Sequence, residues 1–198
     1  MGIYIFTKER LSTVNNNHAK QTITAGLLIA LGLVLPMAFH TFGMGGPVFL
    51  PMHIPVLLGG FVLSPLYALL VGMVTPIASS VLTSMPPLFP GAVQMMFELG
   101  TYGLVISYLY HKRNISLFPT LLTGMLAGRF VAGAVNYLLL TQFLAKAFKL
   151  KVFLTAAFVT AVPGIIIQLV IIPIMVRLLE KANFIMGKEN INDSRTQS

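Results

Sequence analysis

Two ionisable residues stand inside long apolar runs of this sequence, Glu98 and Arg129. A charge within an apolar run of membrane length is costly, and it turns toward a buried partner or a polar cavity. Gln94 lies one helical turn before Glu98, and Asn136 lies two turns after Arg129, so each charge shares a helical face with an amide. At about 1.5 Å per helical residue, Glu98 and Arg129 fall at similar depth on consecutive antiparallel spans and can pair. His53 heads a short apolar run at the same end. A few polar groups in an apolar body are the usual make-up of a small-molecule pocket. Two readings stand side by side: the pair contacts a ligand or only ties two helices, and His53 contacts a ligand or caps an interface.

Several chemistries are excluded. There is no cysteine, hence no disulfide, thiol catalysis or cysteine metal site. The chain has no GxxxxGK[ST] phosphate loop, no HExxH and no GxSxG, and no His and carboxylate share metal-ligand spacing within a span. No enzyme activity, cofactor or metal is expected, and the chain cannot hydrolyse ATP through such a loop.

The elements that position these residues follow from composition. Hydrophobic residues make up 56% and charged residues 9%, against roughly 25% charged in a soluble domain. So few charges cannot cover a soluble fold, and the expectation is an all-α integral membrane protein in a lipid bilayer. The net charge of +8 comes from basic residues at the ends of apolar runs. That is the pattern of membrane orientation, and nucleic acid is not an expected partner. Residues 1–22 are polar and lack a signal-peptide core, so the first apolar run is expected to stay as a span.

The runs are Ile23 to Phe39, His53 to Leu63, Leu66 to Thr83, Ala92 to Tyr110, Phe118 to Phe143 and Phe153 to Leu179. With six spans, the second one short, and both termini cytoplasmic, the outer loops hold only Lys146, Lys149 and Lys151 of the basic residues outside the spans. Five spans would move Lys112 and Arg113 outside and weaken the bias. The expected organisation is a cytoplasmic segment 1–22, a six-helix membrane domain 23–182 and a polar tail 183–198. Gln168 is expected toward the inner side of the last span as a tie between helices, with Pro163 and Pro173 bending that span.

The stretch MGGPVFLPMHIPVLLGG, residues 44 to 60, is apolar yet rich in proline and glycine. A second apolar, proline-rich break runs from Ser84 to Pro90. The two breaks, residues 40 to 52 and 84 to 90, lie on the outer side in the six-span arrangement. Irregular backbone at a membrane must rest against protein or a cavity. The two breaks are therefore expected to fold back as outer loops capping a ligand pocket; the plainer alternative is stiff turns at the interface. In the first span, Gly26 and Ala30 form a small-xxx-small pair that lets another helix approach.

The chain resembles the substrate-binding S components of energy-coupling factor (ECF) vitamin transporters. The likeness covers residues 20 to 182 and is strongest in FLPMHIPVLLGGFVLSPLYALLVGMVTPIASSVLTSMPPLFPGAVQMMFELGTYG, residues 49 to 103. It implies a multi-pass protein of a prokaryotic cell membrane that binds one small vitamin or precursor from outside. It also implies partners: a transmembrane coupling subunit and two ATPase subunits, with the S component toppling in the membrane to release its ligand inside. By that resemblance Phe49, Met52 and Phe89 would cover the ligand. His53, Gln94, Glu98, Arg129 and Asn136 would read its polar edge, and Gly26 and Ala30 would meet the coupling subunit, Gly26 standing where the family more often has alanine.

The vitamin stays open at this level. Arg129 suits a carboxylate, as in pantothenate or niacin in its acid form, nicotinate. Glu98 suits an amine, hydroxyl or ring N–H, as in vitamin B6 or hydroxymethylpyrimidine. A self-contained proton- or ion-coupled carrier using Glu98 is the competing reading. A third is a membrane protein with no ligand, in which the pair matters only for stability.

Overall fold

The computed structural model of the chain describes residues 2–41 and 46–182, and side chains over residues 17–39 and 46–182. The middle of the first proline-rich break (42–45) and the polar tail (183–198) lie outside the described residues. All regular structure among the described residues is helical. In order, the helices are α1 (Gly2–Thr41), α2 (Gly46–Phe49), α3 (His53–Val62), α4 (Pro65–Thr83), α5 (Val93–Ser107), α6 (Leu117–Leu138), α7 (Leu150–Leu154) and α8 (Val162–Lys181). Four wider, π-type segments extend or join them: Leu88–Ala92 before α5, Tyr108–Lys112 after it, Leu139–Phe143 after α6, and Thr155–Thr160 between α7 and α8.

Punctuation in the sequence sets these bounds. Pro65 opens α4, a position where its missing N–H and fixed φ fit the helix start. Ser84 closes α4 in the left-handed region (φ 58°), its N–H returning to the Ser80 carbonyl. Phe89 is extended (φ −126°, ψ 133°), which kinks the approach to α5. The expected last span, Phe153 to Leu179, is not one helix. The chain turns at Ala161, and α8 starts afresh with Pro163 in its first turn.

Four helical stretches are long and apolar enough to cross a membrane: Asn17–Phe39 of α1, Pro65–Thr83, Leu117–Phe143 and Val162–Lys181. Their exposed faces are apolar. Phe118, Leu122, Leu126 and Phe130 form an exposed stripe on α6, and Ile166, Val170, Ile174 and Leu178 form another on α8. Stripes of this length and composition are surfaces for lipid or for another membrane helix.

Helix α5 is the centre of the packing, with α3, α4 and α6 against it. Leu99, Tyr102 and Ile106 of α5 are buried with Leu57 and Phe61 of α3 and Leu121 of α6. Between membrane helices, close backbone approach replaces the hydrophobic driving force. Glycine permits it here: a Cβ on Gly72 of α4 would stand 2.2 Å from the Leu99 carbonyl oxygen, and one on Gly103 2.2 Å from that of Ala68. Ser107 also donates a buried hydrogen bond to the Leu63 carbonyl, 2.6 Å, fastening α5 to the end of α3.

One end of the bundle gathers the irregular segments. Helix α2 lies on α8, where a Cβ at Gly164 would meet the Phe49 backbone at 2.7 Å. Phe89 meets Phe143 edge-on at 6.2 Å, which places the connection after α6 beside the second proline-rich break. This is the loop end of the bundle.

Candidate functional site

At the loop-end side of the core, three helices each deliver one polar side chain to a common point. Helix α3 begins at His53, α5 carries Glu98, and α6 carries Arg129. The crossing of α5 and α6 is tight enough to set this geometry. Gly128, just before Arg129, faces the Tyr102 ring so closely that a Cβ there would lie 2.1 Å from Tyr102 Cε1 and 2.9 Å from the Glu98 carbonyl oxygen.

Arg129 Nη1 stands 3.1 Å from Glu98 Oε1, with the glutamate buried and the arginine side chain 11% exposed. Tyr102, one turn after Glu98 on the same helix, donates its hydroxyl hydrogen to that oxygen at 2.7 Å. His53 Nε2 is 3.7 Å from the same oxygen, beyond hydrogen-bond range. The His53 ring packs on Tyr102, with centroids 5.7 Å apart. At 3% exposed, His53 is buried within the helix bundle. Both of its ring nitrogens, and Arg129 Nη2, are buried with no hydrogen-bond partner among the described residues. Buried polar atoms are rarely left so in a folded protein.

The other expected site residues divide. Met52, directly before His53, is buried in the same core. Phe49 is half-buried at the end of α2, packed on Phe39 at 5.8 Å. Gln94 and Asn136 are half-buried on the faces of Glu98 and Arg129. Phe89 is not in this group: it is 44% exposed and turned to Phe143. Gly26 and Ala30 are exposed on α1, and a Cβ on Gly26 would meet nothing within 4 Å.

Gln168 falls elsewhere than expected. Because α8 begins only at Val162, Gln168 lies in its first half, toward the loop end. It is 1% exposed, and its amide nitrogen is 3.5 Å from the Leu50 carbonyl oxygen. Leu50 itself is buried with a left-handed backbone (φ 50°), a sparsely populated conformation for a branched side chain. Gln168 and Gly164 thus seat residues 46–52 on α8. Tyr102 was missed in the sequence reading, although its spacing of four from Glu98 is the signal that finds it. Among the described residues no group of His and carboxylates could hold a metal ion.

Comparison with known proteins adds one finding. A family model described as ECF transporter, substrate-specific component, matches residues 20–176. No curated protein and no solved structure matches the chain.

Proposed function

Because the chain belongs to the family of substrate-specific components of ECF transporters, we propose that it is the binding subunit for uptake of a small water-soluble vitamin or vitamin precursor. As a member of that family it is a multi-pass membrane protein and a transporter subunit. In this reading α1, α3, α4, α5, α6 and α8 are the six spans, α3 being short, and both termini face the cytoplasm. Helix α5 with the turn that follows it runs from Val93 to Lys112, about 30 Å at 1.5 Å per residue, enough for the hydrocarbon core. The loop end then faces outward, where ligand arrives.

The observation that carries the site is the buried trio His53, Glu98 and Arg129 with its unfilled donors. A purely structural ion pair is stable when its remaining hydrogen-bonding atoms are satisfied. Here they are not, and residues 46–52 lie directly before the first of the three. Met52 and Phe49 supply apolar cover, and Gln94 and Asn136 extend the polar wall toward the loop end. Phe89, facing Phe143, belongs to the rim. Energy comes from partners, a coupling subunit and two ATPase subunits, and the exposed face of Gly26 and Ala30 is where the coupling subunit docks.

The test is mass spectrometry of small molecules released from the protein purified in mild detergent. A stoichiometric vitamin or precursor is the expected result, lost when Arg129 or Glu98 is replaced by alanine in a protein that still folds. Uptake by this chain alone into liposomes, driven by a proton gradient, would replace the reading with that of a self-contained carrier.

A further inference from the structure

Most of the free hydrogen-bonding capacity of the buried trio lies in donors. Glu98 Oε1 already accepts from Tyr102 and faces Arg129 Nη1. What remains unfilled is Arg129 Nη2 and the two ring nitrogens of His53. A guanidinium nitrogen only donates, and an imidazole donates through one nitrogen when neutral and through both when protonated. Arg129 Nη2 therefore lacks an acceptor, and so does the N–H of His53, whose second nitrogen accepts while the ring is neutral and donates once it is protonated. Arg129 Nη1 and His53 Nε2 both lie within 4 Å of one Glu98 oxygen, at 3.1 and 3.7 Å, so the two side chains with free donors border the same carboxylate.

The charge around the loop end points the same way. Lys146, Lys149 and Lys151 are exposed on the connection from α6 to α8. Glu98 is the only acid from residue 46 to residue 161, so nothing in that stretch offsets them. A rim of one charge sign concentrates ions of the other and speeds their arrival.

We infer that the ligand carries a carboxylate, held between Arg129 Nη2 and His53 and drawn in by the three lysines. The inference rests on the binding-subunit reading above and narrows its substrate to a small carboxylic acid. Charge balance then fixes the imidazole. Glu98 and the ligand bring two negative charges and Arg129 one positive. His53, faced by Glu98 and Tyr102 from α5 and by Arg129 from α6, supplies the second by taking a proton as the acid binds. A neutral amide or alcohol fills the donors with weaker, uncharged acceptors, and an amine sets a second cation beside Arg129.

Calorimetric titration of the full chain in mild detergent with matched probes tests this. The pairs are nicotinate with nicotinamide and pantothenate with panthenol, and thiamine serves as a cation. The acid of one pair should bind at least tenfold more tightly than its neutral partner, and more weakly as pH rises. Because Arg129→Leu also strips buried Glu98 of its cation and so perturbs folding, the triple variant Lys146→Gln, Lys149→Gln, Lys151→Gln gives a second readout by stopped flow. It should slow association of the acid severalfold and leave that of the neutral partner unchanged. Equal or tighter binding of a neutral or cationic probe overturns the carboxylate and leaves the binding-subunit reading standing, as does a neutral or cationic molecule released from the purified protein. Binding of no probe, with nothing released from the protein, overturns both.

Discussion

Replacing a glycine by alanine should have opposite consequences at two positions of this protein. At Gly26 an added Cβ meets nothing within 4 Å. The helix gains alanine's lower backbone entropy cost, about 0.5–1 kcal/mol. At Gly128 the same methyl lands 2.1 and 2.2 Å from two Tyr102 ring carbons and 2.9 Å from the Glu98 carbonyl oxygen. Tyr102 is 1% exposed and its hydroxyl is tied to Glu98, so the ring has no room to retreat. Overpacking of this kind costs about 1–3 kcal/mol, and backbone on one side of the contact argues for the upper end. Subtracting about 1 kcal/mol of helix propensity leaves a net loss of about 2 kcal/mol. For a chain of this size that lowers the melting temperature by roughly 4–8 °C. Thermal melting in detergent, followed by helical circular dichroism, reads the difference. Gly128→Ala melting at or above the parent temperature would refute the close α5–α6 crossing, and with it the cause given for the Glu98–Arg129 distance.

Other outcomes follow from the same geometry. Arg129→Leu alone leaves Glu98 buried without its cation and should cost about 3 kcal/mol, whereas Glu98→Leu with Arg129→Leu should recover most of that loss; equal melting temperatures for the single and double variants would contradict the pairing. Ser107→Ala removes the buried bond to the Leu63 carbonyl and should lower stability by about 1 kcal/mol, or roughly 2–4 °C on the same melting assay. Gly26→Leu should melt no lower than the parent but prevent co-purification with the coupling and ATPase subunits, since it fills the exposed small face of α1; an intact complex would move the docking surface elsewhere. Gln168→Leu unfastens the 46–52 segment from α8 and should increase cleavage there under limited proteolysis, with little change in melting temperature.

The approach of Glu98 to Arg129 was legible before the fold was known, and the departures from expectation elsewhere have physical causes. Helical rise alone put Glu98 and Arg129 at one depth, because both helices are continuous between the charge and the nearest break. The same arithmetic failed for Gln168, since the turn at Ala161 moves the start of the helix from Phe153 to Val162. That turn has no strong sequence signal beyond Pro163 and Gly164, residues that membrane helices tolerate. Phe89 was assigned by its place in a proline-rich loop, but ring packing on Phe143 decides where it points. Tyr102 was overlooked because a tyrosine in an apolar run reads as core. It is core, and its hydroxyl also completes the shell of Glu98.

The seat of Phe49 on Gly164, and of Leu50 on Gln168, separates two properties that many binding sites entangle. The charged floor is carried by α3, α5 and α6, while residues 46–52 rest on α8. Side chains at Val48 and Phe49 can therefore be exchanged without disturbing the ion pair, provided Gly164 stays bare. For a designer wishing to retarget the molecule under the proposed reading, this is a replaceable visor over a fixed socket: the visor would set the shape admitted, and the socket the charge.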